Sequence, residues 1–147
     1  MIARHIGLFC LAAWLGASAF FSFALAPAAF RVLPRDQAGK LLGELFPIYY
    51  HIGLALGLTA LACCWIDRSA HPQLPYATPR LVLLLTFNAL LLVSAYLLLP
   101  WIHDLREQLA LNPTPELKAR FGMAHGCSMA ANLLALLIAL TVFLLTL

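Results

Sequence analysis

The sequence has little charge, and the charge it has is confined to short segments. Charged residues make up 10% of the 147 residues, with nine Lys and Arg against six Asp and Glu. A soluble domain of this size carries about twice that fraction, so the composition argues against one. The formal net charge is only +3 and Lys and Arg form no cluster, so we expect no nucleic acid partner.

Motifs of hydrolytic and nucleotide chemistry are missing from the sequence. It holds no Walker loop, no GxSxG turn and no paired carboxylates in an apolar block. It also lacks the HxxxH, HExxH and CxxC spacings that often bind metals. The four cysteines show no framework, so we expect buried small apolar residues, with a Cys10–Cys63 disulfide as the alternative. We therefore lean towards a non-enzymatic protein.

Four long apolar blocks fill most of the chain, and none contains Asp, Glu, Lys or Arg. Each is about the ~20 residues that a helix needs to cross a ~30 Å hydrocarbon core. Helices of a soluble bundle would carry a charged stripe. We therefore predict an all-α integral membrane protein, one domain over residues 1–147, folded as an antiparallel four-helix transmembrane bundle. The predicted spans are residues 6–27, 48–66, 81–101 and 122–147.

A short amphipathic helix is predicted between the first two spans, at residues 34–46. Pro34 suits a helix start, and Pro47 is expected to begin the second span. Apolar residues of the segment recur at helical spacing and polar residues occupy the other face, as in a helix that lies in the membrane interface. The apolar set is Ala38, Leu41, Leu42 and Leu45, and the polar set is Gln37, Lys40 and Glu44.

The distribution of Lys and Arg predicts the orientation. The N-terminus and second loop hold three of them, whereas the first and third loops hold six. Cytoplasmic loops are enriched in Lys and Arg. We therefore expect the first and third loops in the cytoplasm and both termini outside, with the first apolar block retained as a helix.

Seven polar residues near membrane depth form the candidate site, because polar groups in hydrocarbon are costly and often functional. Those on the third helix share one face, as do those on the fourth, and the other two begin the second helix. We predict that they converge on an interior pocket near the cytoplasmic face. They are Tyr50, His51, Tyr96, His103, His125, Ser128 and Asn132.

Two interpretations of the histidines remain open at this point. In one, His51 and His125 bind haem b or a transition metal, since neutral imidazole is a common ligand of both. In the other, they are interfacial side chains bonded to carbonyls, Tyr50 or Ser128. Asn88 and Asn132 are expected near mid-bilayer, where an interhelical hydrogen bond would join them.

The sequence resembles the transmembrane protein 205-like family over almost its whole length. The resemblance implies a four-span membrane protein, found in bacteria and eukaryotes, with no established reaction. Its location would be the bacterial inner membrane. The matching residues are Trp14-Leu15-Gly16, Phe20-Phe21, Ala26-Pro27, Phe30, Ala38-Gly39, Leu45-Phe46-Pro47, Tyr50, Arg120-Phe121, His125-Gly126, Ser128 and Asn132.

Three classes of function follow from these features. The first is a non-enzymatic membrane module, a scaffold or accessory subunit, whose partners are the lipid bilayer and a second copy or another membrane protein. The second is a haem- or metal-dependent redox protein. The third is an oligomeric small-solute or ion transporter, although no apolar block carries the carboxylate that proton coupling often uses.

Overall fold

Four long helices make up nearly all of the computed structural model, which describes residues 2–73 and 76–147. They are α1 (Ile2–Val32), α2 (Arg35–Ala70), α3 (Ala77–Leu111) and α4 (Pro115–Thr146). Each is long and apolar enough to cross a membrane, and at ~1.5 Å per residue each exceeds the ~30 Å hydrocarbon core. The prediction of an all-helical protein with four such helices is confirmed, and a lipid bilayer is its environment.

Two of the helices change their winding just before an internal proline. A π-helical turn at Phe21–Leu25 precedes Pro27 in α1. A second π-helical turn, Ser94–Leu98, precedes Pro100 in α3. A proline removes a backbone N–H, and its ring clashes with the carbonyl four residues earlier, so a wider turn there lets the helix continue. Both helices therefore pass through their prolines.

Residues 35–46 of the predicted segment are helical, with Pro34 as the N-cap, but they do not form a separate helix. They form the first turns of α2, which continues through Pro47 without a break. A proline has a helical φ, and packing of the adjoining turns holds this one in register: Ala38 and Leu42 are buried. Lys40 and Glu44 are exposed on the opposite face, as the amphipathic pattern predicts.

Each helix packs against the next one in the chain, and α4 packs back against α1. Close contacts join the start of α1 to the far end of α2, where the Gly7 backbone approaches Cys63. They join the second half of α1 to the first half of α2 through the rings of Phe21 and Phe46, whose centroids are 5.0 Å apart. The central residue is Trp14, which is 1% exposed and lies against Tyr49 with ring centroids 4.7 Å apart.

Large apolar side chains also cover the outside of the helices. Phe9 and Phe23 of α1 are 71% and 74% exposed, and other large apolar side chains on α2, α3 and α4 also face outwards. An exposed apolar surface of this extent needs an apolar environment, which the lipid of a bilayer supplies. The exposed side chains therefore agree with the charge-free blocks of the sequence.

Candidate functional site

A chain of three hydrogen-bonded side chains crosses the interior of the bundle. The Tyr49 hydroxyl donates to Asn132 Oδ1 at 2.7 Å and lies 2.9 Å from the Ser18 hydroxyl. These residues belong to α2, α4 and α1, so the chain links three helices. Tyr49 and Ser18 are buried. Neither was among the predicted site residues, although Tyr49 immediately precedes Tyr50 in the sequence.

Tyr50 and Ser128 meet in a second interior contact between α2 and α4. The two hydroxyl oxygens are 3.4 Å apart, and Ser94 of α3 is a further polar neighbour of the Tyr50 hydroxyl. Tyr50 is 1% exposed. Three of the seven predicted site residues, Tyr50, Ser128 and Asn132, thus lie in the two interior contacts.

His51 and Tyr96 form a pair on the outside of the bundle. His51 Nε2 lies 3.2 Å from the Tyr96 hydroxyl, and its Nδ1 lies 2.6 Å from the carbonyl oxygen of Pro47. A carbonyl accepts only, so Nδ1 carries the proton and the hydroxyl donates to Nε2. Both side chains are exposed. The position of His51 therefore differs from the predicted interior one, because it lies one residue, about 100°, around the helix from buried Tyr50.

His103 and His125 lie apart from this pair. His103 is half-buried beside the Gly43 backbone, and its Nε2 has no hydrogen-bond partner among the described residues. His125 is exposed and stacks on Phe121 of its own helix, with ring centroids 6.0 Å apart. Within residues 2–73 and 76–147, no three His, Cys, Asp or Glu side chains come together as a metal site.

The expected asparagine pair is replaced by two separate contacts. Asn132 bonds to Tyr49, whereas Asn88 donates from Nδ2 to the carbonyl oxygen of Leu84 in its own helix at 2.8 Å. Asn88 Oδ1 faces the Gly57 backbone instead, since a Cβ on Gly57 would lie 2.7 Å from it. The equal depth expected for the two asparagines therefore does not predict which faces of the helices meet.

A buried ion pair lies at the end of the bundle that bears the second loop. Arg80 Nη2, at the start of α3, lies 3.2 Å from Asp67 Oδ2, near the end of α2. The residues are 4% and 6% exposed. His71 Nδ1 is 3.7 Å from the other oxygen of Asp67. The sequence analysis placed Asp67 and Arg80 in the second loop. Each of them directly adjoins an apolar block, and this position is the signal that could have identified them as a buried pair.

Arg4 ties the first helix to the last at the same end. Its Nε donates to the carbonyl oxygen of Thr146 at 2.7 Å, and its Nη2 donates to the carbonyl oxygens of Thr146 and Leu147. A cation at a helix C-terminus satisfies free carbonyls and opposes the negative end of the helix dipole. Arg4 therefore links the start of α1 to the end of α4.

A family model described as a domain of unknown function, DUF4149, matches residues 9–110. The chain belongs to the DUF4149 family. An uncharacterized protein of Aquifex aeolicus (strain VF5) is 34% identical over 137 residues, which cover 93% of this chain and 91% of the relative. No solved structure matches the chain. These findings support the broader part of the sequence resemblance, a bacterial domain of unknown function.

The DUF4149 match divides the candidate residues. It includes Tyr49, the exposed His51–Tyr96 pair and the Asp67–Arg80 ion pair, and it ends before α4 begins. His125, Ser128 and Asn132 therefore lie outside the matched range. Two interior hydrogen bonds, Tyr49–Asn132 and Tyr50–Ser128, join the DUF4149 segment to the helix that follows it. The Ser18–Tyr49 bond lies within the segment.

Proposed function

We propose that this DUF4149 protein is a non-enzymatic module of the bacterial inner membrane. It is an antiparallel four-helix transmembrane bundle that serves as a scaffold or accessory subunit. A second copy or another membrane protein would be its partner, packed against the apolar outer surface. The first turns of α2 would lie in the membrane interface, with Lys40 and Glu44 towards water.

The Ser18–Tyr49–Asn132 chain is the observation that supports this proposal most. Tyr49 contacts a partner on each of two other helices, at 2.9 and 2.7 Å, so its hydroxyl is used in holding helices together. Polar groups in a membrane interior satisfy one another in this way because lipid offers no alternative partner. The predicted pocket residues Tyr50 and Ser128 also contact each other. An interior bonded in this manner suits a structural role better than a substrate site.

The resemblance to the transmembrane protein 205-like family and the charge distribution complete the proposal. The resemblance implies four spans and no established reaction, which agrees with a module of this kind. Six Lys and Arg lie on the helix ends that flank the first and third loops. They favour a cytoplasmic location for this side of the bundle, with both termini outside.

A haem- or metal-binding protein is the second candidate, and one contact favours it. The bond from His51 Nδ1 to the Pro47 carbonyl is the kind that orients the opposite ring nitrogen towards a metal. That nitrogen instead faces Tyr96, and no described contact joins His51 to His125. The transporter alternative has less support, since both described cavities lie at the end that bears the second loop.

Absorption spectroscopy and metal analysis of the purified protein separate the first two candidates. We expect the wild-type protein to show no Soret band and less than one equivalent of any transition metal per chain. His51→Ala and His125→Ala variants should then match the wild type in both measurements. A stoichiometric haem or metal that is lost in either variant, while the helical content is kept, would contradict the proposal and establish the second candidate.

A further inference from the structure

A small cavity lies inside the end of the bundle where the second loop and both termini meet. All four helices contribute to its wall, and its volume is about 20 Å³. The floor consists of apolar and thiol side chains, including Ala60, Leu84 and Val142. Polar residues close the cavity at the membrane surface: Arg4, Asp67 and Arg80.

The charged groups of this cavity leave an excess of positive charge. Two guanidinium groups and one carboxylate line it, and Asp67 pairs directly with Arg80. Arg80 is 4% exposed, and its Nε has no hydrogen-bond partner among the described residues. The buried Nε–H of Arg80 without an acceptor is costly. The second guanidinium, that of half-buried Arg4, pairs with no carboxylate side chain among the described residues, so the cavity favours an anionic guest.

The size of the cavity limits which anion can enter. A volume of about 20 Å³ exceeds the roughly 10–15 Å³ that one water needs. It leaves no space for an organic carboxylate or a phosphate ester. We propose that the cavity binds one monovalent anion of halide size, with chloride as the ligand, held by Arg80 and Arg4. This inference goes beyond the proposed function and does not rest on it.

Thermal unfolding in two sodium salts tests the proposal. The protein in detergent is measured with increasing sodium chloride, with sodium gluconate added to keep the ionic strength constant, because gluconate is too large for the cavity. A ligand that binds only the folded state raises Tm as its concentration rises. We expect Tm to rise with chloride, and with bromide in its place. An unchanged Tm would show that the cavity holds water alone and would overturn the proposal.

Two matched variants locate the effect. Val142→Leu adds a methylene group to the cavity wall without changing any charge, and it should abolish the dependence of Tm on chloride. Val82→Leu is the same substitution on the outside of α3, where Val82 is 54% exposed, and it should keep the full dependence. If a folded Val142→Leu protein still responds to chloride as the wild type does, the anion binds elsewhere and the proposal fails.

Discussion

Two glycines of α2 allow the side chains of the neighbouring helices to reach the α2 backbone. A Cβ added to Gly53 would lie 2.5 Å from Trp14 Cζ3, and one added to Gly57 would lie 2.6 Å from Phe87 Cε1. Real Cβ atoms do not approach other atoms this closely, so an added methyl group would displace Trp14 or Phe87. Both side chains are almost fully buried, which leaves them little room to move.

Replacing either glycine by alanine should therefore destabilise the bundle. We expect Gly53→Ala and Gly57→Ala each to lower the free energy of unfolding by about 1–3 kcal/mol, the usual cost of overpacking a core. Unfolding in mixed micelles, followed by circular dichroism, measures this change.

Gly126→Ala is the matched control, since nothing lies within 4 Å of a Cβ at this position of α4. Alanine has the higher helix propensity, so this variant should be as stable as the wild type or slightly more stable. Equal effects of all three substitutions would contradict the close packing at Gly53 and Gly57.

For single polar residues, the sequence indicates a helix face but not the partner of the side chain. The helical periodicity grouped His125, Ser128 and Asn132 on one face of α4; Ser128 and Asn132 are half-buried there, whereas His125 is exposed. It could not show that Asn132 meets Tyr49, or that His51 faces Tyr96 on the outside. Periodicity gives the angle of a residue around its own helix, whereas its partner depends on the rotation of the neighbouring helix.

Among the elements, α2 and α3 are joined by the buried Asp67–Arg80 pair beside their connecting loop. Removing one member of a buried ion pair leaves the other charge without compensation. Arg80 and Asp67 lie 13 positions apart in the sequence, on opposite sides of the proline-containing loop. The pair therefore links the two helix ends directly.

Each single substitution of this pair should be much more harmful than the double one. Arg80→Met and Asp67→Leu should each cost about 3–5 kcal/mol of unfolding free energy, whereas the double variant should recover most of that loss. A denaturation series on the three variants measures the non-additivity. Additive losses would mean that the pair is not coupled.

The exposed pair of Glu116 and Arg120 on α4 serves as the control for this series. Its atoms are 2.9 Å apart, yet the side chains are 75% and 60% exposed. Exposed pairs within one helix contribute about 0.3–0.5 kcal/mol, so Arg120→Ala should change stability very little. The comparison separates the effect of burial from the effect of pairing.

The four helices were predictable from the sequence, but their lengths were not. Charge-free blocks predicted four helices long and apolar enough to cross a membrane, since a helix satisfies its own backbone within lipid. The helices extend beyond these blocks because polar residues at either end form equally good helix, as Arg35–Phe46 does in α2. Pro47 was expected to mark a boundary, and it lies inside the helix instead.

For the whole molecule, the orientation in the membrane is the next property to test. We expect Gln73→Cys, in the second loop, to react with an impermeant maleimide on intact cells, in a background without the four native cysteines. Gln37→Cys, at the start of α2, should react only after permeabilisation. The reason is the excess of Lys and Arg on the helix ends that flank the first and third loops. The opposite pattern of labelling would show that the protein is inserted the other way round.

The central claim is that polar side chains inside the bundle hold its helices together, and a double-mutant cycle tests it most directly. Tyr49→Phe and Asn132→Leu remove the two ends of the 2.7 Å hydrogen bond between α2 and α4. Their coupling in the unfolding free energy, measured in mixed micelles, should be about 0.6–1.7 kcal/mol, the range for hydrogen bonds between membrane helices. Thr59→Val and Thr141→Val form the control pair, because each hydroxyl bonds within its own helix, and their effects should add. Additive effects of Tyr49→Phe and Asn132→Leu, within about 0.3 kcal/mol, would contradict the claim.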